Sequence, residues 1–227
     1  MWAGVEMNWN DYLDARLQFE TDVKSTVPER VSNNTDLLRG LHFVMGMVTE
    51  AYELKHYTDS LNLIEEAGDA LWFFGGLLAM YGGHDNATLM RFTKTFDKTY
   101  TDNITRSVSR TITMDCEDAE PATYGLRYAI ELLDMYKAAI FYGRTLDSVA
   151  VFNRLIMYYI QLLYDVHVEY WCQNLSSTKV FPIEAIMAVN IAKLSARYSE
   201  GYADAKANNR NKEFEREAMQ KALEPYL

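Results

Sequence analysis

The chain is poor in the residues that interrupt helices: only 4 Pro and 11 Gly occur in 227 residues. That scarcity argues against collagen-like, turn-rich or low-complexity architectures. Two cysteines, Cys116 and Cys172, have no CxxC spacing and no His/Cys cluster nearby, so neither a zinc site nor a disulfide framework is indicated. No run of 18 apolar residues occurs, and "MWAGVEMNWNDYLDARLQFE" lacks the basic start and apolar stretch of a signal peptide. A cytoplasmic protein with no membrane partner is expected. Positive charge is also short: 22 basic against 32 acidic residues give −10, which disfavours attraction to nucleic-acid phosphates or anionic lipid.

What is present points to helix. Hydrophobic residues make up 49% of the chain, enough for a substantial core, and the Leu, Ala, Met and Tyr content fits an all-α domain. Loose helical spacing over residues 12–19, ended by Pro28, marks a first segment. Asp36 is read as the N-cap of "LLRGLHFVMGMVTEAYELKHY", a long apolar helix reaching about Tyr57. After "TDS" comes "LNLIEEAGDALWFFGGLLAMYGG", which stops at Gly82 and Gly83 and completes a helical hairpin. One weaker helix follows over 84–108, and the acidic, Pro-containing stretch at 115–121 is the boundary candidate. This divides the chain into residues 1–110 and 122–227, expected to form one compact unit.

Beyond that boundary, "YGLRYAIELLDMYKAAIFYG" and "LDSVAVFNRLIMYYIQLLYDVHVEYW" form a second helix pair around "RT". Laid on the first pair, it sets Glu131 and Asp134 over Glu50 and Glu53, which suggests a duplicated hairpin. A further helix begins near Pro182, and a polar, exposed helix follows a break at Gly201.

The chemistry concentrates in four acids. Glu50 and Glu53, then Glu66 and Asp69, each stand three residues apart, so each pair shares one helix face. If the hairpin packs antiparallel, the pairs can converge on one point. Converging carboxylates in apolar surroundings such as "FVMGMVT" and "ALWFFGGLLAM" are costly unless a cation compensates them. Oxygen-only donors, with His56 the sole nearby nitrogen, favour Mg²⁺ with Mn²⁺ as substitute. Gly68 leaves room beside the second pair, whereas Glu65 reads as a solvated residue. A solvated helix surface is the plain alternative for isolated ExxE pairs. A di-iron bundle is another, but it needs two Glu-x-x-His pairs and only Glu53 with His56 supplies one.

"GMVTEAYEL" followed by "LIEEAGDALWFF" resembles the ExxE and ExxD signature of the MazG-like, all-α nucleotide pyrophosphohydrolases, versions of which occur in bacteriophages. "ELLDMYKAAIFYGRTLD" and "AVNIAKLSARYSEGY" are similar to later parts of the same family. Two departures stand out. Arg154 and Met157 occupy the place of a second ExxD pair, and the NxxKLxxRY pattern occurs only once, as Asn190, Lys193, Leu194, Arg197 and Tyr198.

The resemblance implies a four-helix-bundle core, here tandem and pseudo-dimeric, or alternatively a homodimer. It also implies Mg²⁺ on Glu50, Glu53, Glu66 and Asp69, and hydrolysis of a nucleoside triphosphate substrate to monophosphate and pyrophosphate. Asn190, Lys193 and Arg197 are then expected to meet phosphates. Glu53 is the expected general base, and His42 and Trp72, with Phe43, are candidates to line a base slot. The other reading of the same resemblance is a non-catalytic nucleotide-sensing or scaffold protein, for which the degenerate second half is the argument.

Overall fold

The computed structural model describes residues 34–82, 122–173, 183–198 and 211–226. Among these, every regular element is helical. The helices are α1 (Thr35–Leu54), α2 (Ser60–Gly82), α3 (Leu126–Tyr142), α4 (Ser148–Gln173), α5 (Ile183–Arg197) and α6 (Lys212–Leu223), with a 3₁₀ turn at Glu224–Tyr226. The expected helices near residues 12–28 and 84–108, the boundary at 115–121 and the break at Gly201 lie outside the described residues.

Helix starts follow from side chains that compete with the backbone. Asn34, not Asp36, caps α1: its Oδ1 accepts from the Leu37 amide at 3.1 Å, and Asp36 stands inside the first turn, where its charge meets the positive helix end. Asp59 starts α2 by accepting from the Asn62 amide at 2.9 Å. Asp147 does the same for α4 through the amides of Val149 and Ala150. At the head of α3, Tyr124 and Gly125 take positive φ values of 49° and 74°. The buried Asp165 fixes this turn, accepting from the amides of Thr123 at 2.9 Å and Tyr124 at 2.6 Å.

α1 and α2 form one hairpin and α3 and α4 another, and the two close into a ring in which α1 packs on α3 and α2 on α4. Neighbours run antiparallel. Tyr81 at the end of α2 meets Tyr136, late in α3, at 2.7 Å between hydroxyls, and Tyr57 just after α1 donates to Glu169, late in α4, at 2.9 Å. Leu, Ile, Val, Met and Ala from all four helices fill the ring, among them Val44, Met47, Leu63, Leu77, Leu132, Leu155 and Leu162. Each fully buried aliphatic side chain of this size contributes about 1.5–3 kcal/mol. On the α1–α2 seam, Gly46 admits the Phe73 ring and Gly76 admits Phe43, so two glycines let the helices approach where two aromatics interlock.

α5 packs on α2, and α6 on α5. α6 is polar as expected, yet one face is buried through Glu215, Met219 and Leu223. The hydrophobic signal is weak because an ion pair occupies part of that face. No helix among the described residues is long and apolar enough to cross a membrane.

Candidate metal centre

Both acidic pairs lie on the α1–α2 seam, near the connection that joins the two helices. Antiparallel packing brings them together: carboxylate oxygens of Glu50, Glu53 and Glu66 lie within 4.8 Å of one another. Glu50 and Glu66 are partly buried and Glu53 is exposed. Burial, followed by the charges of Asp69, Glu53 and Glu66, pushes the Glu50 carboxyl up to about 8. Burial also raises Glu66, to about 7, with Glu65 adding to the effect and a hydrogen bond donated by Asn62 Nδ2 to Glu66 Oε1 at 2.7 Å opposing it. Three carboxylates thus converge where ionising all of them is costly without a cation.

Asp69 takes part differently. Its Oδ1 accepts from Asn190 Nδ2 at 2.7 Å, and its Oδ2 is ion-paired with Lys193 Nζ. Lys193, only 1% exposed, also reaches Glu65 Oε1 at 3.3 Å. Glu65 is therefore not the solvated residue expected from the sequence: it is a partner of a buried ammonium. Gly68 makes the contact possible, because a Cβ there would stand 2.7 Å from Asn190 Cβ. The space beside the second pair is filled by α5.

Arg197, the third residue expected to meet phosphate, faces away from these acids towards α6. Its Nε and Nη2 donate to the two Glu215 oxygens at 3.0 and 2.8 Å, a bidentate pair that holds α6 on α5. Glu215 and this role for Arg197 were not legible in the sequence, where "EFEREAMQ" looks uniformly solvated.

The aromatic candidates continue the seam beyond the acids. Trp72, 48% exposed, stands three residues past Asp69 and meets Phe73 edge-on at 5.2 Å and Phe43 at 6.1 Å between centroids. His42, also exposed, meets Phe73 at 5.7 Å. His56 stays out of the cluster: its Nδ1 donates to the Tyr52 carbonyl at 2.7 Å. A cavity of about 520 Å³, lined by Arg39, Met80, Tyr81 and Tyr136 among others, opens at the other end of the ring. Arg39 precedes Glu50 by eleven residues, roughly 16 Å of helix, so this cavity does not adjoin the acids.

The second hairpin builds nothing equivalent. Both hairpins have five-residue connections, Lys55 to Asp59 and Gly143 to Asp147, which match at an offset of 88 residues. At that offset Ala138 and Phe141 replace Glu50 and Glu53, and Arg154 and Met157 replace Glu66 and Asp69. Glu131 and Asp134 fall seven residues away, over Phe43 and Gly46, which corrects the equivalence drawn from the sequence. Two helical turns separate the two alignments, and an apolar helix slipped by two turns presents nearly the same face. Glu131 is paired with Arg127 at 3.2 Å and Arg154 at 3.3 Å, and Asp134 with Lys137 at 3.7 Å.

What the first hairpin offers is an oxygen-only donor set able to hold a divalent cation, with a buried ammonium on its α5 side and an exposed indole, Trp72, nearly two turns past Glu66. Compared with protein-family models, with curated proteins and with solved structures, the chain finds no match.

Proposed function

We propose that the chain is a Mg²⁺-dependent nucleotide pyrophosphohydrolase, which splits a nucleoside or deoxynucleoside triphosphate into the monophosphate and pyrophosphate. The observation that supports this best is the convergence of Glu50, Glu53 and Glu66 within 4.8 Å, two of them partly buried, with burial and like charge raising Glu50 and Glu66 despite the opposing Lys193 ammonium. The donors are hard and oxygen-only, which suits Mg²⁺ or Mn²⁺ and not zinc or a di-iron pair. Glu50, Glu53 and Glu66 would hold the ion, and Asp69, gripped by Asn190 and Lys193, would fix α5 at the edge of the site. Bound there, Mg²⁺ supplies neutralisation of triphosphate charge and a more acidic water.

The chain's own groups supply the rest. Glu53, exposed at the mouth of the cluster, accepts the proton of the water that adds to phosphorus as pyrophosphate leaves. Trp72 presents an open face for a base, with His42 beside the same Phe73 ring. Lys193 acts on phosphate through Asp69 and Glu65, whose charge it offsets.

The direct test is a panel of ribo- and deoxyribonucleoside triphosphates and guanosine alarmones, with pyrophosphate measured as product. Glu50→Gln and Asp69→Asn are each expected to lower turnover by about 10²–10³, the scale on which removal of a single electrostatic contact acts in active sites. Full activity in either variant would sink the reading. One observation favours the nucleotide-sensing or scaffold alternative: Lys193 and Arg197 are both engaged by protein carboxylates. Metal binding and thermal stabilisation by triphosphates, with no pyrophosphate released from any of them, would decide for that alternative.

A further inference from the structure

The cavity at the far end of the ring, about 520 Å³, has the size of a small-molecule site, and none of the four acids lines it. It lies among the start of α1, the end of α2, the later part of α3 and the α3–α4 connection. Leu37, Met80 and Leu146 give it apolar walls. Besides the capping Asn34, its polar groups are one acid, Asp36, one base, Arg39, and the hydroxyls of Tyr81 and Tyr136.

Asp36 and Arg39 stand three residues apart on α1, a spacing at which opposite charges readily pair. They do not pair here. The Arg39 guanidinium lies over the Phe43 ring at 5.6 Å, and neither side chain has a hydrogen bond or ion pair among the described residues. Two tyrosine hydroxyls hold two donor protons, and the 2.7 Å bond between Tyr81 and Tyr136 uses one of them. The other O–H has no acceptor among the described residues. Tyr136 is 1% exposed, and a Cβ at Gly40 would overlap its hydroxyl, so the pair is fixed against α1 one turn from Asp36. Burial pushes both phenols up, which keeps them donors.

We infer that this cavity binds a free α-amino acid with an apolar side chain: Arg39 and the unspent tyrosine O–H meet its carboxylate, Asp36 its ammonium, and the apolar walls its side chain. Charge sets the class. A simple anion would face Asp36 uncompensated and a simple cation would face Arg39, whereas a zwitterion answers both and brings no net charge into the cavity. The ammonium and carboxylate of an α-amino acid share one carbon, which suits two side chains whose Cβ atoms are about 5–6 Å apart on neighbouring helical turns. A carboxylate is also the acceptor that a guanidinium fork fits best. Nothing in this site depends on the metal-binding reading above.

The test titrates the full-length chain with L-leucine, L-methionine and L-phenylalanine by calorimetry, beside the amide and the N-acetyl derivative of the tightest binder. Arg39→Gln and Asp36→Asn are each expected to weaken binding about tenfold or more, the loss that follows when a charged hydrogen-bond partner is removed. Arg39 is exposed, so Arg39→Gln is expected to keep the unliganded melting temperature, and Asp36→Asn is read at a temperature where the chain is fully folded. Binding is expected to be the same in EDTA as in Mg²⁺, so that failure of the metal centre leaves this inference standing. No binding of any of the three amino acids at millimolar concentration would overturn it and leave a solvent-filled cleft. Equal binding of the amide and N-acetyl derivatives would overturn the zwitterion, and full affinity in both charge variants would overturn its placement in this cavity.

Discussion

Glu50 and Glu66 combine three effects that the sequence presents separately: helical spacing, apolar surroundings and like charge. Their carboxyls rise from an ordinary value near 4.5 to about 8 and about 7. Across that window the folded chain keeps protons that the unfolded chain has released, so metal-free stability falls as pH rises from about 5 through 8. A bound cation reverses the preference by favouring the ionised carboxylates. Melting temperature in EDTA is therefore expected to decline between pH 6 and 8.5, and the increment produced by saturating Mg²⁺ to grow over the same range. A flat or rising metal-free profile would mean that the acids are not crowded. At this scale the three clustered glutamates were legible, because the three-residue step fixes a shared face whatever lies outside it. The partners of Glu65 and Asp69 were not, since both come from α5, more than 120 residues away in sequence.

Helices α5 and α6 show how an element can look functional for one reason and be held for another. Asn190, Lys193 and Arg197 follow a three- and four-residue rhythm that sets them along one side of α5. Yet Asn190 and Lys193 turn to α2, and Arg197 to α6. The rhythm alone cannot separate a stripe facing phosphate from one facing carboxylates, because both demand the same side chains. With side-chain exposures of 14% and 3%, the Arg197–Glu215 pair is largely shielded from water, and removing one partner leaves a buried charge. Arg197→Ala is expected to cost about 3–5 kcal/mol in chemical denaturation, with most of that recovered when Arg197→Met is combined with Glu215→Met. A variant of native stability but weaker substrate binding would return Arg197 to the phosphate site. The hairpins themselves were legible, because the short polar breaks "TDS" and "RT" stand between long apolar runs; that Asp59 and Asp147 start the second helix of each is seen only in the structure.

For the whole molecule, the ring of four antiparallel helices has the outline of a repeat but the chemistry of a single site. A symmetric pair of hairpins would present two acid clusters, one on each seam. Matching the equal connections leaves none of the four acids on the second seam, where Arg154 instead brings a permanent cation to Glu131 at 3.3 Å. A guanidinium in that place cannot be lost by dialysis or exchanged for metal, so the second hairpin contributes packing and, through the chain that follows it, the α5 contact with Asp69. On the proposed metal-binding reading, the expected consequence is a stoichiometry of one divalent cation for the two hairpins. Titration with Mn²⁺ is expected to give one equivalent, abolished by Glu66→Gln and unaffected by Glu131→Gln with Asp134→Asn. The distinction is sharp because the sequence alignment and the hairpin geometry disagree by two helical turns over where the second pair of acids belongs. Two equivalents, or loss of binding in the Glu131 and Asp134 variant, would restore the equivalence drawn from sequence and make each half a site of its own.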